Sequence, residues 1–77
     1  MEIPITQLKG GEKGELKRID GGISFRRKIS SLNIRPGKMV RKVTSQPLRG
    51  PVVIEVDGRR LTIGRGMAMK IFVEVNR

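Results

Sequence analysis

Hydrophobic and polar positions change period several times along this chain, and each change marks an element. Ile5 and Leu8 precede Lys9-Gly10-Gly11, which reads as a lead-in turn, and a first strand is predicted over Lys13–Ile19, ended by Asp20-Gly21-Gly22. The period then lengthens: Phe25, Ile29 and Leu32 fall at i, i+4 and i+7, one stripe of a short amphipathic helix. Ser24 is its expected N-cap and Asn33 its expected left-handed stop. Ile34 packs back on that helix, and Arg35-Pro36-Gly37 places Pro and Gly where a tight turn uses them. A second strand is expected over Lys38–Thr44, with Met39 and Val43 set apart by basic residues.

Gln46-Pro47-Leu48-Arg49-Gly50-Pro51 reads as a loop. The strongest local signal follows it. Val52, Ile54 and Val56 alternate with Val53 and Glu55; after Asp57-Gly58, Leu61 and Ile63 alternate with Arg60 and Thr62. Two alternating runs around Asp-Gly predict a hairpin with a two-residue turn. Gly64 to Lys70 is a helical turn with Ala68 facing inward, and Ile71–Val75 a last strand. Five strands, one helix after the first and a helical turn before the last predict an all-β fold, a small closed SH3-like barrel. Closure would remove the two exposed edges of an open sheet. The expected core is Leu16, Ile19, Phe25, Ile29, Leu32, Ile34, Val43, Val52, Ile54, Val56, Leu61, Ile63, Ala68, Ile71 and Val73.

At 77 residues the chain is expected to be a single domain, residues 1–77, with no repeat or linker. It contains no Cys and no His, which excludes thiolate and imidazole metal sites, disulfides, and Cys or His-assisted nucleophiles. The usual catalytic pairings are therefore missing, and no enzymatic activity and no cofactor are expected. Met1 is followed by Glu2, Pro4 and Thr6 without an apolar leader, and the longest apolar runs, Val52–Ile54 and Ile71–Val73, fall far short of the ~20 residues of a membrane helix. A soluble, cytoplasmic protein is expected.

The net charge of +10, with 17 Lys and Arg against 7 Asp and Glu, suits an anionic partner. Only Arg26-Arg27-Lys28 forms a run of three. Glu55 and Asp57 share a strand face, but amid this excess of cations they are expected in salt bridges and not on a metal. A proline-rich peptide groove needs aromatic walls, and the only rings are Phe25 and Phe72. Base stacking needs rings as well, so nucleic acid would be held through phosphates alone, by Arg26, Arg27, Lys28, Arg41, Lys42, Arg59 and Arg60. Gly10-Gly11-Glu12-Lys13-Gly14 lacks the spacing of a nucleotide loop. Protein contact remains. Met67 and Met69 flank the inward Ala68 and are expected to point outward, and Leu48 tips the proline-flanked loop.

Several blocks of the chain resemble a known family. Gly11-Glu12-Lys13-Gly14, then Arg27-Lys28-Ile29-Ser30-Ser31-Leu32-Asn33-Ile34-Arg35-Pro36-Gly37, then Gln46-Pro47-Leu48-Arg49-Gly50-Pro51 are similar to successive blocks of the ferrous iron transport protein A (FeoA) family. Ile63, Arg65, Ala68 and Ile71 stand where a fourth block has a Leu, a basic residue, an Ala and an Ile. Asn33 replaces a usual Gly, and Gly64 and Gly66 replace better helix formers, at a cost of up to ~1 kcal/mol each. The resemblance implies an SH3-like barrel that acts as a non-catalytic cytoplasmic accessory of ferrous iron uptake. It implies as partner the FeoB membrane transporter, with its cytosolic GTP-binding domain, and membrane contact only through that partner. It does not imply that this chain binds iron. In this picture Leu48, Met67 and Met69 supply apolar contact and Arg26, Arg27 and Lys28 steer the chain toward an acidic face of the transporter. The alternative is a stand-alone basic barrel that binds nucleic acid through its phosphates. The same barrel also resembles the C-terminal domain of metal-dependent repressors, but no helix-turn-helix accompanies it here.

Overall fold

The computed structural model describes residues 1–43 and 50–77. In chain order they form β1 (Glu2–Pro4), a 3₁₀ turn (Ile5–Gln7), β2 (Lys13–Ile19), helix α1 (Ile23–Ser31), β3 (Met39–Lys42), β4 (Val52–Val56), β5 (Arg59–Ile63), helix α2 (Arg65–Ala68) and β6 (Ile71–Glu74). All six strands join one antiparallel sheet in the order β1-β6-β2-β3-β4-β5. The sheet has one strand more than the five expected. The addition is β1, whose Ile3 lies opposite Val73 of β6, while the Val75 N–H donates to the Met1 carbonyl at 2.9 Å.

Among the described residues no ladder joins β1 to β5, so the sheet coils around the core without hydrogen-bonded closure. The 3₁₀ turn follows β1 and α2 follows β5, and these two short elements pack on each other. Their buried Ile5 and Ala68 fill the space between the sheet ends. Lys42 reaches the same place, its Nζ donating to the Thr6 carbonyl at 3.2 Å. Burial, with the charge of Arg65 second, pulls the Lys42 ammonium below the usual lysine range.

Leu16, Ile29, Ile34, Ile54, Ile71 and Val73 are fully buried, as their spacing predicts. Ile19, Phe25, Leu32 and Leu61 are half-buried against this centre. Ile3, Ile5, Leu8 and Val75 add to it beyond expectation. In β3 the inward residue is Val40, while Met39 is exposed and Val43 only half-buried. Side chains alternate across a strand, so a one-residue difference in register moves the whole set to the other face.

The ends of α1 are set by local chemistry. The Arg26 N–H donates to the Gly22 carbonyl at 3.0 Å, making Gly22 the N-cap, so Ser24 lies in the first turn and does not cap. At the other end Asn33 takes φ 67°, its N–H donating to Ser30 and that of Ile34 to Ile29. This double closure with a left-handed residue satisfies the last carbonyls and drives Ile34 into the core. Gly37, at φ 95°, completes the next turn with a Lys38 N–H to Arg35 carbonyl bond of 3.1 Å. The Gly37 N–H and the Leu16 carbonyl (2.8 Å) then fasten that turn to β2. In the β4–β5 hairpin, Asp57 and Gly58 both have positive φ, as a two-residue turn of this hand requires.

Candidate functional site

Charge is distributed very unevenly over this framework. Every one of the seven carboxylates is matched by a cation. Glu2 and Asp20 share Arg18; Glu12 holds Arg77 at 2.8 Å, Glu55 holds Arg41 at 2.8 Å and Asp57 holds Lys38 at 2.8 Å. Glu15 lies 3.5 Å from Lys17, and Glu74 meets the N-terminal ammonium. The hydrogen bond from Arg77, with one from the Lys9 N–H, holds the Glu12 carboxyl at about 2. Arg41 lowers Glu55, and Lys38 lowers Asp57. None of these acids reaches Arg26, Arg27, Lys28 or Arg35. The chain carries no Asp or Glu at all from Gly21 to Ile54, the stretch that contains all four.

Two of these unmatched cations, Arg26 and Arg35, border a groove of about 340 Å³ between β2 and α1, lined by Lys17, Arg18, Ile19, Arg26, Ser30, Ile34, Arg35 and Pro36. Three local features build it. A bulge shifts the β2–β6 register between Leu16 and Arg18, so Lys17 and Arg18 both turn outward where strict alternation would oppose them. Arg18 is pinned by Glu2 and Asp20 with its guanidinium 3.9 Å from the Phe72 ring centre, which fixes one wall. The Pro36–Gly37 turn, fastened to β2, brings in Arg35. The floor is apolar, and the excess positive charge comes from Arg26 and Arg35, with Lys17 loosely paired.

The expected site residues fall in different places. The helix turns by about 100° per residue, so the Arg26-Arg27-Lys28 run is dispersed. Arg26 borders the groove, Arg27 points to solvent beside it, and Lys28 lies on the far flank. All three are exposed. Met69 is 58% exposed. Met67 is half-buried and packs on the core, which corrects the expectation that both methionines point outward. Ala68, sealed inside, sets the direction of the short helix, and Met67 falls on its inner shoulder. Leu48 lies outside the described residues. The end of α2 meets the start of α1: the Asp20 N–H donates to the Lys70 carbonyl at 2.8 Å, and Lys70 Nζ sits 5.2 Å from the Phe25 ring centre. Sequence reasoning missed Lys17, Arg35 and the exposed Ile23, although the acid-free stretch would have pointed to the last two.

Comparison with known proteins agrees with this architecture. The model of the FeoA domain family matches residues 3–75. A Methanocaldococcus jannaschii protein named as an Fe(2+) transport protein A is 38% identical over 71 residues, covering 92% of this chain and 84% of that protein. A crystal structure of an iron uptake regulatory protein (FeoA) superposes with TM-score 0.88 at 35% identity, over 96% of this chain and 97% of that one. A manganese-dependent transcriptional repressor gives TM-score 0.86 at 18% identity, over 97% of this chain but 42% of its own length, a likeness of fold alone.

Proposed function

The chain belongs to the FeoA family, and we propose that it serves ferrous iron uptake as a non-catalytic accessory that binds a FeoB-type membrane transporter. The observation that carries this is the division of charge. The carboxylates that could ligate a cation or act as acids are all engaged in ion pairs, while a basic face beside α1 stays unmatched. Such a surface suits association and not chemistry on iron. In this role Met69 supplies apolar contact, and Arg26, Arg27 and Lys28 raise the rate of encounter with an acidic face of the transporter. Met67, packed on the core, holds the short helix in place. Leu48 lies outside the described residues, and its part in this contact rests on the sequence alone.

The test is a nuclease-treated pull-down of the transporter from detergent-solubilised membranes at physiological salt. Recovery of the transporter, weakened at least ten-fold by Met69→Asp in a chain that still folds, is the expected result. Recovery of nucleic-acid-binding proteins only when nuclease is omitted would overturn it and favour phosphate-backbone binding.

A further inference from the structure

Helical geometry assembles a second feature around the groove. Ile23, Arg26, Arg27 and Ser30 fall at i, i+3, i+4 and i+7 of α1, one stripe on the side away from Phe25, Ile29 and Leu32. Arg26 and Ser30 border the groove, with Arg35 across from them. Ile23 heads the stripe and is 66% exposed, the most exposed large apolar side chain among the described residues. No carboxylate reaches Arg26, Arg27 or Arg35, whereas each acid of the molecule is already matched elsewhere. The surface thus combines unneutralised guanidinium groups, a hydroxyl donor and one solvent-facing aliphatic tip.

We propose that this stripe and groove bind an anionic lipid surface directly. Headgroup phosphates enter between Arg26 and Arg35 and accept from their guanidinium groups and the Ser30 hydroxyl, while Ile23 enters the boundary between headgroups and acyl chains. The mixture of groups selects this ligand. A nucleic-acid backbone would use the cations but leaves Ile23 without a partner, and the stripe offers no ring on which a base could stack. An acidic protein face is drawn by the same cations at long range, but its carboxylates give Ile23 no apolar partner. A bilayer surface satisfies both halves. It gives the chain a hold on the membrane of its own, where the transporter-based expectation allowed contact only through the partner.

The test is co-sedimentation with vesicles of phosphatidylglycerol and phosphatidylcholine, against vesicles of phosphatidylcholine alone. Neither contains any transporter, so the outcome is independent of transporter binding. Binding is expected only on the anionic vesicles and should weaken as salt rises. Each cation near such a surface contributes about five-fold in affinity, so the Arg26→Glu/Arg27→Glu double variant should lose at least about 25-fold. Ile23→Asn should lose roughly ten-fold. Arg59→Glu/Arg60→Glu changes net charge equally on β5, three strands from β2 in the sheet order, and should retain most binding. All these side chains are exposed, and circular dichroism confirms that each variant folds. The proposal is overturned by absence of binding to anionic vesicles, by equal losses in the two double variants, by an unchanged Ile23→Asn, or by retention of duplex DNA in place of vesicles.

Discussion

The two flanks of this small protein treat charge in opposite ways. Where β1, β6, β2, β3 and β4 lie side by side, the acids are drawn into ion pairs: Arg41 of β3 stands opposite Glu55 of β4, with their side chains joined at 2.8 Å. Along α1 and the turn after it, Arg26, Arg27, Lys28 and Arg35 stay unmatched, because the acid that reaches this turn, Asp57, is held by Asn33 and Lys38. The net charge of +10 is therefore not a uniform coat. Ion pairs on the sheet flank belong to the folded state, and exposed pairs of this kind are each worth little, about 0–1 kcal/mol. The α1 flank carries charge that stability does not need, as the proposed partner-binding face would.

Both flanks depend on the core beneath them, and the largest expected effect comes from breaking that anchor. Ile29 is fully buried and ties α1 to the sheet. Ile29→Ala should cost about 2–5 kcal/mol in urea unfolding, enough to loosen the whole α1 face. A loss under ~1 kcal/mol would mean the helix is not held as described. On the sheet flank, Gly14 lies so close to β6 that an added Cβ would sit 2.8 Å from Val73 Cγ2 and 3.1 Å from the Glu74 carbonyl. Gly14→Ala should cost about 1–3 kcal/mol, because the obstacle includes backbone. An unchanged midpoint would refute that close approach.

Acid should separate the two flanks more finely. Glu12, Glu55 and Asp57 have carboxyl groups held below their ordinary range by Arg77, Arg41 and Lys38. A lowered folded-state value stabilises above the unfolded value and is lost as pH falls through the folded one. For Glu12 that window runs from 4.5 down to about 2. Stability followed by thermal melts should fall across it, and Glu12→Gln should flatten part of the slope. A slope unchanged in that variant would remove the Arg77 contact from the explanation. The smallest effect belongs to the α1 flank. Arg27→Glu should leave stability within about 0.5 kcal/mol at physiological salt, and at low salt should raise it by relieving repulsion among neighbouring cations. A clear loss at low salt would show that Arg27 has an unrecognised structural partner.

The parts legible in the sequence are those fixed by neighbours along the chain. Alternation around Asp57-Gly58 gives the hairpin register directly, since the turn allows few alternatives. Asn33 is legible because a left-handed residue after an amphipathic stripe has one common use. β1 escapes because it offers a single inward residue, Ile3, and its partner β6 lies at the other end of the chain. Val43 is the residue expected in the core and Val40 the one found there, because the position of the Gly37 turn on β2 decides the parity. The run Arg26-Arg27-Lys28 is visible as charge, but the helix spreads it around its circumference. The groove depends on a bulge at Lys17, which leaves no local signature, and on the fastening to β2 of the Pro36–Gly37 turn, which is legible as a turn but not in its docking.

The most direct measurement is binding of the chain to a FeoB-type transporter in nanodiscs of neutral lipid, where lipid charge cannot contribute. Titrations would compare Arg26→Glu/Arg27→Glu with Arg59→Glu/Arg60→Glu, two variants of equal net charge, one on α1 and one on β5. If the α1 face is the partner-binding face, the first variant loses at least ten-fold, mostly through slower association, and the second binds nearly as well as the unmodified chain. Equal binding by both variants, or no binding by the unmodified chain, would contradict the assignment.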